Sequence, residues 1–261
     1  NIERSVKDLD PPLKRKILFY VLYVLRSTFY IQPIRCGIEP HLMAGYSFGI
    51  YPALFASGAL SFADGLAAAR GAYQLMDKAC RSRNYSMGIT IGLTAGEIND
   101  MFASGYYEQV CMVNSNNATC KVFAGPRKSL QRFLEEAQRH DALSARLLEV
   151  DIPYHHPRLL DGVSATFHSY LQGLDWHEPS CPIVSSIDQG LLRSAEELVD
   201  FTSSNLSTPV NWERVVAALH EEEVTRIVEC GPGISLAQNG RFMDFPITYF
   251  TVKNFVRRLE R

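Results

Sequence analysis

Gly45-Tyr46-Ser47-Phe48-Gly49 lies between an apolar approach, Pro40 to Ala44, and a helix-forming run, Tyr51–Ser57. A G-x-S-x-G stretch in that setting reads as a sharp turn from a strand into a helix. The glycines are expected where side chains would clash, and the turn presents the serine oxygen beside the helix N-terminus. Backbone N–H groups at such a turn suit a developing oxyanion. A serine hydroxyl is too weakly acidic to attack unaided, so a base must stand elsewhere in the chain. Ser47 is therefore the candidate nucleophile.

Downstream, Phe62–Cys80 reads as a helix rich in Ala, Leu and Met, with Ser61 and Asp64 placed to cap its first turn. The texture changes after Cys80. Strand Ser86–Leu93, helix Ala95–Ser104, strand Glu108–Val113, strand Cys120–Ala124, amphipathic helix Pro126–His140 and strand Leu147–Asp151 follow in order. This β-α-β-β-α-β succession is the ferredoxin-like pattern, set inside a longer α/β sequence. Beyond it come a helix (Pro157–Gln172), a strand (Ile183–Ser186) and helices at Ala195–Ser203 and Trp212–Glu221. A strand (Thr225–Glu229), a Gly231-Pro232-Gly233 turn and a last strand (Ile247–Thr251) close the chain. Strands alternating with helices imply a largely parallel sheet whose ligands gather at the strand C-termini.

Upstream, Ile17 to Leu25 is an apolar run between Lys14-Arg15-Lys16 and Arg26. It is too short to span a bilayer and lacks a small-residue cleavage site. It is expected to be a helix buried on most of its circumference. The whole chain has 261 residues, 46% hydrophobic and 21% charged, with a formal net charge of −2. That balance suits a soluble enzyme and excludes nucleic acid or a membrane surface as the main partner. Six cysteines show neither CxxC nor paired Cys/His spacing, so no metal site and no disulfide framework is expected. They read as reduced thiols of a cytoplasmic protein.

Of the seven histidines, His41, His140, His168, His177 and His220 lie in polar or amphipathic surroundings. His155 and His156 instead follow a strand, in Ile152-Pro153-Tyr154-His155-His156-Pro157. Either of the pair qualifies as the base on pattern alone.

At this point the chain resembles the malonyl-CoA:acyl-carrier-protein transacylase family, which includes the acyltransferase domains of fatty-acid and polyketide synthases. Five ordered stretches carry the resemblance between about Gly37 and Phe250. They are the elbow with Tyr51, Ala53, Leu54, Ala56, Gly58 and Phe62; Val113-Asn114-Ser115-Asn116 with Val122-Phe123-Ala124-Gly125; Pro153 to Leu160; Pro209-Val210-Asn211-Trp212; and Glu229-Cys230-Gly231-Pro232-Gly233. The resemblance implies an α/β-hydrolase-like large subdomain (1–85 and 151–261) and an inserted ferredoxin-like small subdomain (86–150). It selects His155 over His156 as the base, oriented by the backbone carbonyl of Asn205 in place of an acidic third residue. It assigns one oxyanion donor to the backbone N–H of Phe48. It further implies ping-pong transfer, with acyl-CoA and a phosphopantetheinylated acyl carrier protein as substrates and no bound cofactor.

The chain departs from the family in ways that bear on its substrate. No Gly-Gln-Gly-Ser-Gln loop, the family's source of a second oxyanion donor, is present; a missing segment is expected rather than its loss. The position of the family's carboxylate-binding arginine falls on Ala72. Arg70 stands about 200° around the helix from it and reads as a solvated surface charge. Tyr46 replaces a histidine beside the nucleophile and Ile50 an acidic residue. Tyr154 would narrow the acyl pocket, whose expected residues are Tyr46, Ala72, Asn116 and Tyr154. Asn114 and Asn116 otherwise read as turn formers.

The expected activity is transfer of a non-carboxylated acyl group onto a carrier thiol through Ser47. Its alternatives are hydrolysis of acyl carriers by the same pair, malonyl transfer if Arg70 binds the carboxylate, and an idle carrier-docking domain.

Overall fold

A computed structural model describes residues 11–35, 37–81 and 84–259. The chain opens with the long helix α1 (Pro11–Arg35), followed by the short strand β1 (Met43–Ala44). A single 3-10 turn at Ser47–Gly49 leads into α2 (Ile50–Ala56), and α3 (Phe62–Cys80) comes next. Ser61 caps α3 by accepting a hydrogen bond from the Asp64 N–H at 3.0 Å. Helix α1 packs on α2 and α3. Tyr23 is wholly buried there, and its hydroxyl donates to the Phe62 carbonyl at 2.9 Å. The apolar run of α1 is only partly covered, however. Val21, Val24 and Leu25 are exposed, which corrects the expectation that this run is buried on most of its circumference; Ile31 and Ile34 further along the helix are exposed as well.

The middle of the chain forms β2 (Tyr85–Ile91), α4 (Ala95–Ser104), β3 (Cys111–Asn117), β4 (Cys120–Pro126), α5 (Arg127–Arg139) and β5 (Ser144–Leu147). Its antiparallel sheet runs β5-β2-β4-β3. One face packs on the two helices through Phe102, Tyr107, Phe123 and Phe133, with Phe102 stacked on Phe133 at 4.9 Å. The other face presents Met87, Val113, Val122 and Ala124 toward Tyr154.

Strands β3 and β5 differ most from expectation. β3 starts and ends later than Glu108–Val113, because its polar half, Asn114–Asn117, finds buried partners and stays in the sheet. β5 precedes the expected Leu147–Asp151. Beyond Leu147 the ladder continues irregularly, with Leu148 N–H to Met87 O at 2.8 Å and Met87 N–H to Val150 O at 3.2 Å.

The remainder supplies α6 (Val163–Leu171), β6 (Ile183–Val184), β7 (Leu191–Leu192), α7 (Ala195–Ser204), β8 (Val210–Asn211) and α8 (Trp212–Glu221). It ends with β9 (Arg226–Glu229), α9 (Ser235–Gly240), β10 (Thr248–Thr251) and α10 (Val252–Leu259). The helix expected from Pro157 begins only at Val163. Residues 154–162 form turns instead, and Gly162 at φ +79° sits in the left-handed region just before the helix starts.

Strand β1 pairs in parallel with β6, and β9 in parallel with β10. Strand β8 adds in parallel to the edge of β3, with Asn114 opposite Val210 and Ser115 opposite Asn211. This joins the inserted sheet to the segment leading into α8. The five cysteines among the described residues are free thiols. None of the described helices is long and apolar enough to cross a membrane.

Candidate active site

Ser47 has φ +50°, a left-handed value that costs a non-glycine residue on the order of 1 kcal/mol. The turn is held by the Gly49 N–H donating to Tyr46 O at 2.8 Å. It is also held by close approach: a Cβ on Gly45 would lie 2.5 Å from the backbone N and Cα of Ile50. Gly49 is different. A Cβ there would meet nothing nearer than an Arg26 nitrogen at 3.5 Å, an ordinary contact. Of the two motif glycines, only Gly45 is required by space.

The second component comes from 108 residues downstream. His155 is a buried residue with φ +64°, and its N–H donates to Leu206 O at 2.9 Å. Its ring spans two partners: Nε2 is 2.7 Å from Ser47 Oγ, and Nδ1 is 2.6 Å from the backbone carbonyl of Asn205. A carbonyl only accepts, so Nδ1 carries the proton and Nε2 is left to accept from the serine. Asn205 is itself held at the end of α7 by its N–H on Phe201 O at 2.8 Å. Burial lowers the His155 pKa to about 4, outweighing the carbonyls of Asn205 and Thr208 that favour the charged ring. The imidazole is neutral at pH 7. A hydroxyl–imidazole–carbonyl line of this kind, with the serine half-buried and the imidazole buried, can pass a serine proton to nitrogen as the oxygen attacks.

His156 is turned elsewhere. Its Nε2 donates to Gln109 O at 2.8 Å, while Nδ1 accepts from the N–H groups of Arg158 and Leu159. It ties the histidine loop to the inserted segment.

The expected pocket residues divide. Tyr46 and Asn116 meet: the Tyr46 hydroxyl donates to Asn116 Oδ1 at 2.7 Å and accepts from Asn114 Nδ2 at 2.7 Å. Both asparagines are buried on β3, and the turn is made instead by Asn117, whose Oδ1 accepts from Thr119 and Cys120 N–H. The turn-former reading of Asn114 and Asn116 is thus corrected. Tyr154 is half-buried between the two apolar clusters that flank the site. Ala72 is wholly enclosed in the core of α2, α3 and α6, so it does not line an open pocket. Arg70 is exposed on α3. The Phe48 ring carries the guanidinium of Arg26, whose Cζ is 5.6 Å from its centroid. Sequence reasoning missed Arg26; its only signal was a lone charge closing an apolar run. Among the described residues its guanidinium makes no hydrogen bond or ion pair. Glu229, whose charge acts on Arg26, is engaged by the Leu236 and Ala237 N–H groups at the start of α9.

The malonyl CoA-acyl carrier protein transacylase of Bacillus subtilis strain 168 is 28% identical over 200 residues, covering 76% of this chain. The chain is similar in sequence and fold to malonyl-CoA:acyl-carrier-protein transacylases. It spans 62% of the length of that Bacillus protein. The polyketide biosynthesis protein ThaF of Burkholderia thailandensis is 27% identical over 216 residues, 82% of this chain and 18% of that protein. Among solved transacylase structures, the acyl-carrier-protein S-malonyltransferase of Burkholderia pseudomallei superposes with a TM-score of 0.84 at 28% identity. That match covers 93% of this chain and 80% of the other. A malonyl-transacylase solved in complex with a type II PKS acyl-carrier protein gives 0.86 at 25% identity, covering 93% and 80%. No family model matches the chain. The fold is that of these transacylases, α/β with the inserted ferredoxin-like sheet, as the sequence order implied.

Proposed function

We propose that the protein is a serine acyltransferase acting on acyl carrier protein, with Ser47 as nucleophile and His155 as its base. The observation that carries this is the line Ser47 Oγ, His155 Nε2, His155 Nδ1, Asn205 O, closed at 2.7 and 2.6 Å around a neutral imidazole. Ser47 attacks the thioester carbonyl of an acyl-CoA or acyl carrier. His155 takes the hydroxyl proton and returns it to the departing thiolate, leaving an acyl ester on Ser47. A phosphopantetheine thiol then gives its proton to His155 and attacks the ester, and His155 returns the proton to the departing Ser47 oxygen, regenerating the hydroxyl. The backbone N–H of Phe48 is the assigned oxyanion donor. The relatives named as transacylases and as polyketide biosynthesis proteins support a place in fatty-acid or polyketide synthesis.

The acyl group has two readings, each with its own observation. At the position expected for the carboxylate-binding arginine, helix α3 has the enclosed Ala72, and its cations Arg70 and Lys78 are exposed, which supports a neutral acyl group. Arg26, unpaired among the described residues and stacked on the residue after the nucleophile, favours a carboxylated one.

Intact-mass measurement after mixing with acetyl-, longer acyl- and malonyl-CoA separates them. A neutral adduct on the Ser47 peptide supports the first reading. A malonyl adduct lost in Arg26→Met supports the second. No adduct with any donor, or one that persists in Ser47→Ala, sinks the proposal. Release of free acid in place of acyl-carrier product would make the protein a hydrolase.

A further inference from the structure

We propose that Tyr46 is a positioning residue, its hydroxyl tying the strained turn at Ser47 to the asparagine pair on β3. The inference rests on Ser47 being the nucleophile. A non-glycine residue at φ +50° persists only where its surroundings over-determine it. Gly45 and α2 constrain the turn along the chain, but they leave its sideways placement toward His155 to other contacts. Tyr46 is the residue immediately before Ser47, and its side chain reaches 70 residues away in sequence.

That side chain is fixed at both ends. Its ring meets Trp212 edge-on, with centroids 5.4 Å apart at 83°. Its hydroxyl uses donor and acceptor together, giving to Asn116 Oδ1 and receiving from Asn114 Nδ2, each at 2.7 Å. The two amides also join each other at 3.0 Å, closing a three-membered ring of hydrogen bonds. Burial raises the phenol pKa far beyond neutral pH, so the hydroxyl holds its proton and acts as a tether rather than as a proton carrier.

An anchor is useful only if it is itself immobile, and this one is. β3 carries two register shifts, one just before Asn114, between Met112 and Asn114, and one at Asn116, between Ser115 and Asn117. Such bulges re-aim side chains next to functional sites. The same strand pairs with β8, and a buried Lys121 strengthens the join. The Lys121 ammonium donates to Ser115 Oγ and Asn117 O, both at 2.6 Å, and reaches Glu213 of α8 at 3.3 Å. Ser115 also donates to Glu213 at 3.1 Å. The strand holding the asparagines is thus bolted to the helix that carries Trp212. Tyr46 hangs the nucleophile turn from that rigid corner.

The test compares wild type with Tyr46→Phe, which keeps the ring and leaves Asn114 bonded to Asn116. Labelling of Ser47 by a fluorophosphonate reads nucleophile placement without any acyl donor. Acylation by whichever CoA ester is accepted reads kcat and KM. The expected result is labelling and kcat slower by roughly 10- to 100-fold, with KM changed less than about two-fold and the melting transition nearly unmoved. Asn116→Ala should slow labelling similarly, and the double variant no further than either alone. Wild-type labelling in Tyr46→Phe, or a change confined to KM, overturns the inference. A wild type that labels but accepts no acyl donor defeats the acyltransferase reading alone, and the label ratio still decides for Tyr46. A wild type that does not label defeats both.

Discussion

His155 and His156 are neighbours in the chain but belong to different regions of the molecule. His155, at φ +64°, turns into the large subdomain's core and joins Ser47 to Asn205. His156 turns to the inserted segment and joins Gln109 to the backbone of Arg158 and Leu159. Both are buried, and burial lowers the pKa of both. Burial and a depressed pKa therefore do not separate the two rings. What differs is the partner: one ring ends on a hydroxyl next to a strained turn, and the other ends only on backbone.

The comparison can be broken most severely at the turn itself. Gly45→Ala forces a Cβ against the backbone of Ile50, with no flexible side chain to yield. We expect a loss of about 3 kcal/mol or more, read as reduced soluble yield or a lower denaturation midpoint. A stable, fully active Gly45→Ala would show that the elbow is not packed as described. His156→Ala comes next. It leaves a cavity and an unpaired Gln109 carbonyl, and is expected to cost about 3 kcal/mol, while folded protein still acylates Ser47. Loss of acylation at full stability would transfer the chemical role to His156.

pH supplies a third separation. A His155 pKa of about 4 keeps the base neutral, so acylation should stay flat from pH 8 to roughly 5 and fall only below that. An exposed histidine would lose half its base near pH 6.5. The same shift has a stability consequence. Below about 6.5 the unfolded chain binds a proton that the folded state refuses, so stability is lost as pH falls toward 4. His155 alone accounts for on the order of 3 kcal/mol of that loss. A half-maximal rate near pH 6.5 would contradict the buried assignment. The smallest expected effect is at Gly49→Ala, where the added methyl meets ordinary contact; stability should change by less than about 1 kcal/mol.

What was legible in the sequence was local. The elbow follows from glycine spacing over five residues. The bounds of α3, α4 and α8 follow the residue pattern, and Ser61, marked in the sequence as a cap, closes the first turn of α3. The β-α-β-β-α-β order was likewise set by short-range pattern. The misreadings at the site share a cause, a partner far away in sequence. Asn114 and Asn116 read as a turn because their burial depends on Tyr46, about 70 residues off. Ala72 read as a pocket wall because nothing local reveals the helices that enclose it. Arg26 drew no attention because its place over Phe48 exists only in three dimensions. The Asn205 carbonyl, 50 residues from His155, entered through family resemblance alone, since a backbone group leaves no signature in residue type.

The central claim, that His155 rather than its neighbour activates Ser47, is tested most directly by single-turnover acylation followed by rapid-quench mass spectrometry. Wild type, His155→Ala and His156→Ala are compared at pH 7 with the same acyl-CoA. The acyl-Ser47 peptide is expected to form about 10³-fold more slowly in His155→Ala, and within a few-fold of the wild-type rate in folded His156→Ala. Near-wild-type acylation in His155→Ala, or an adduct mapped to a residue other than Ser47, would contradict it.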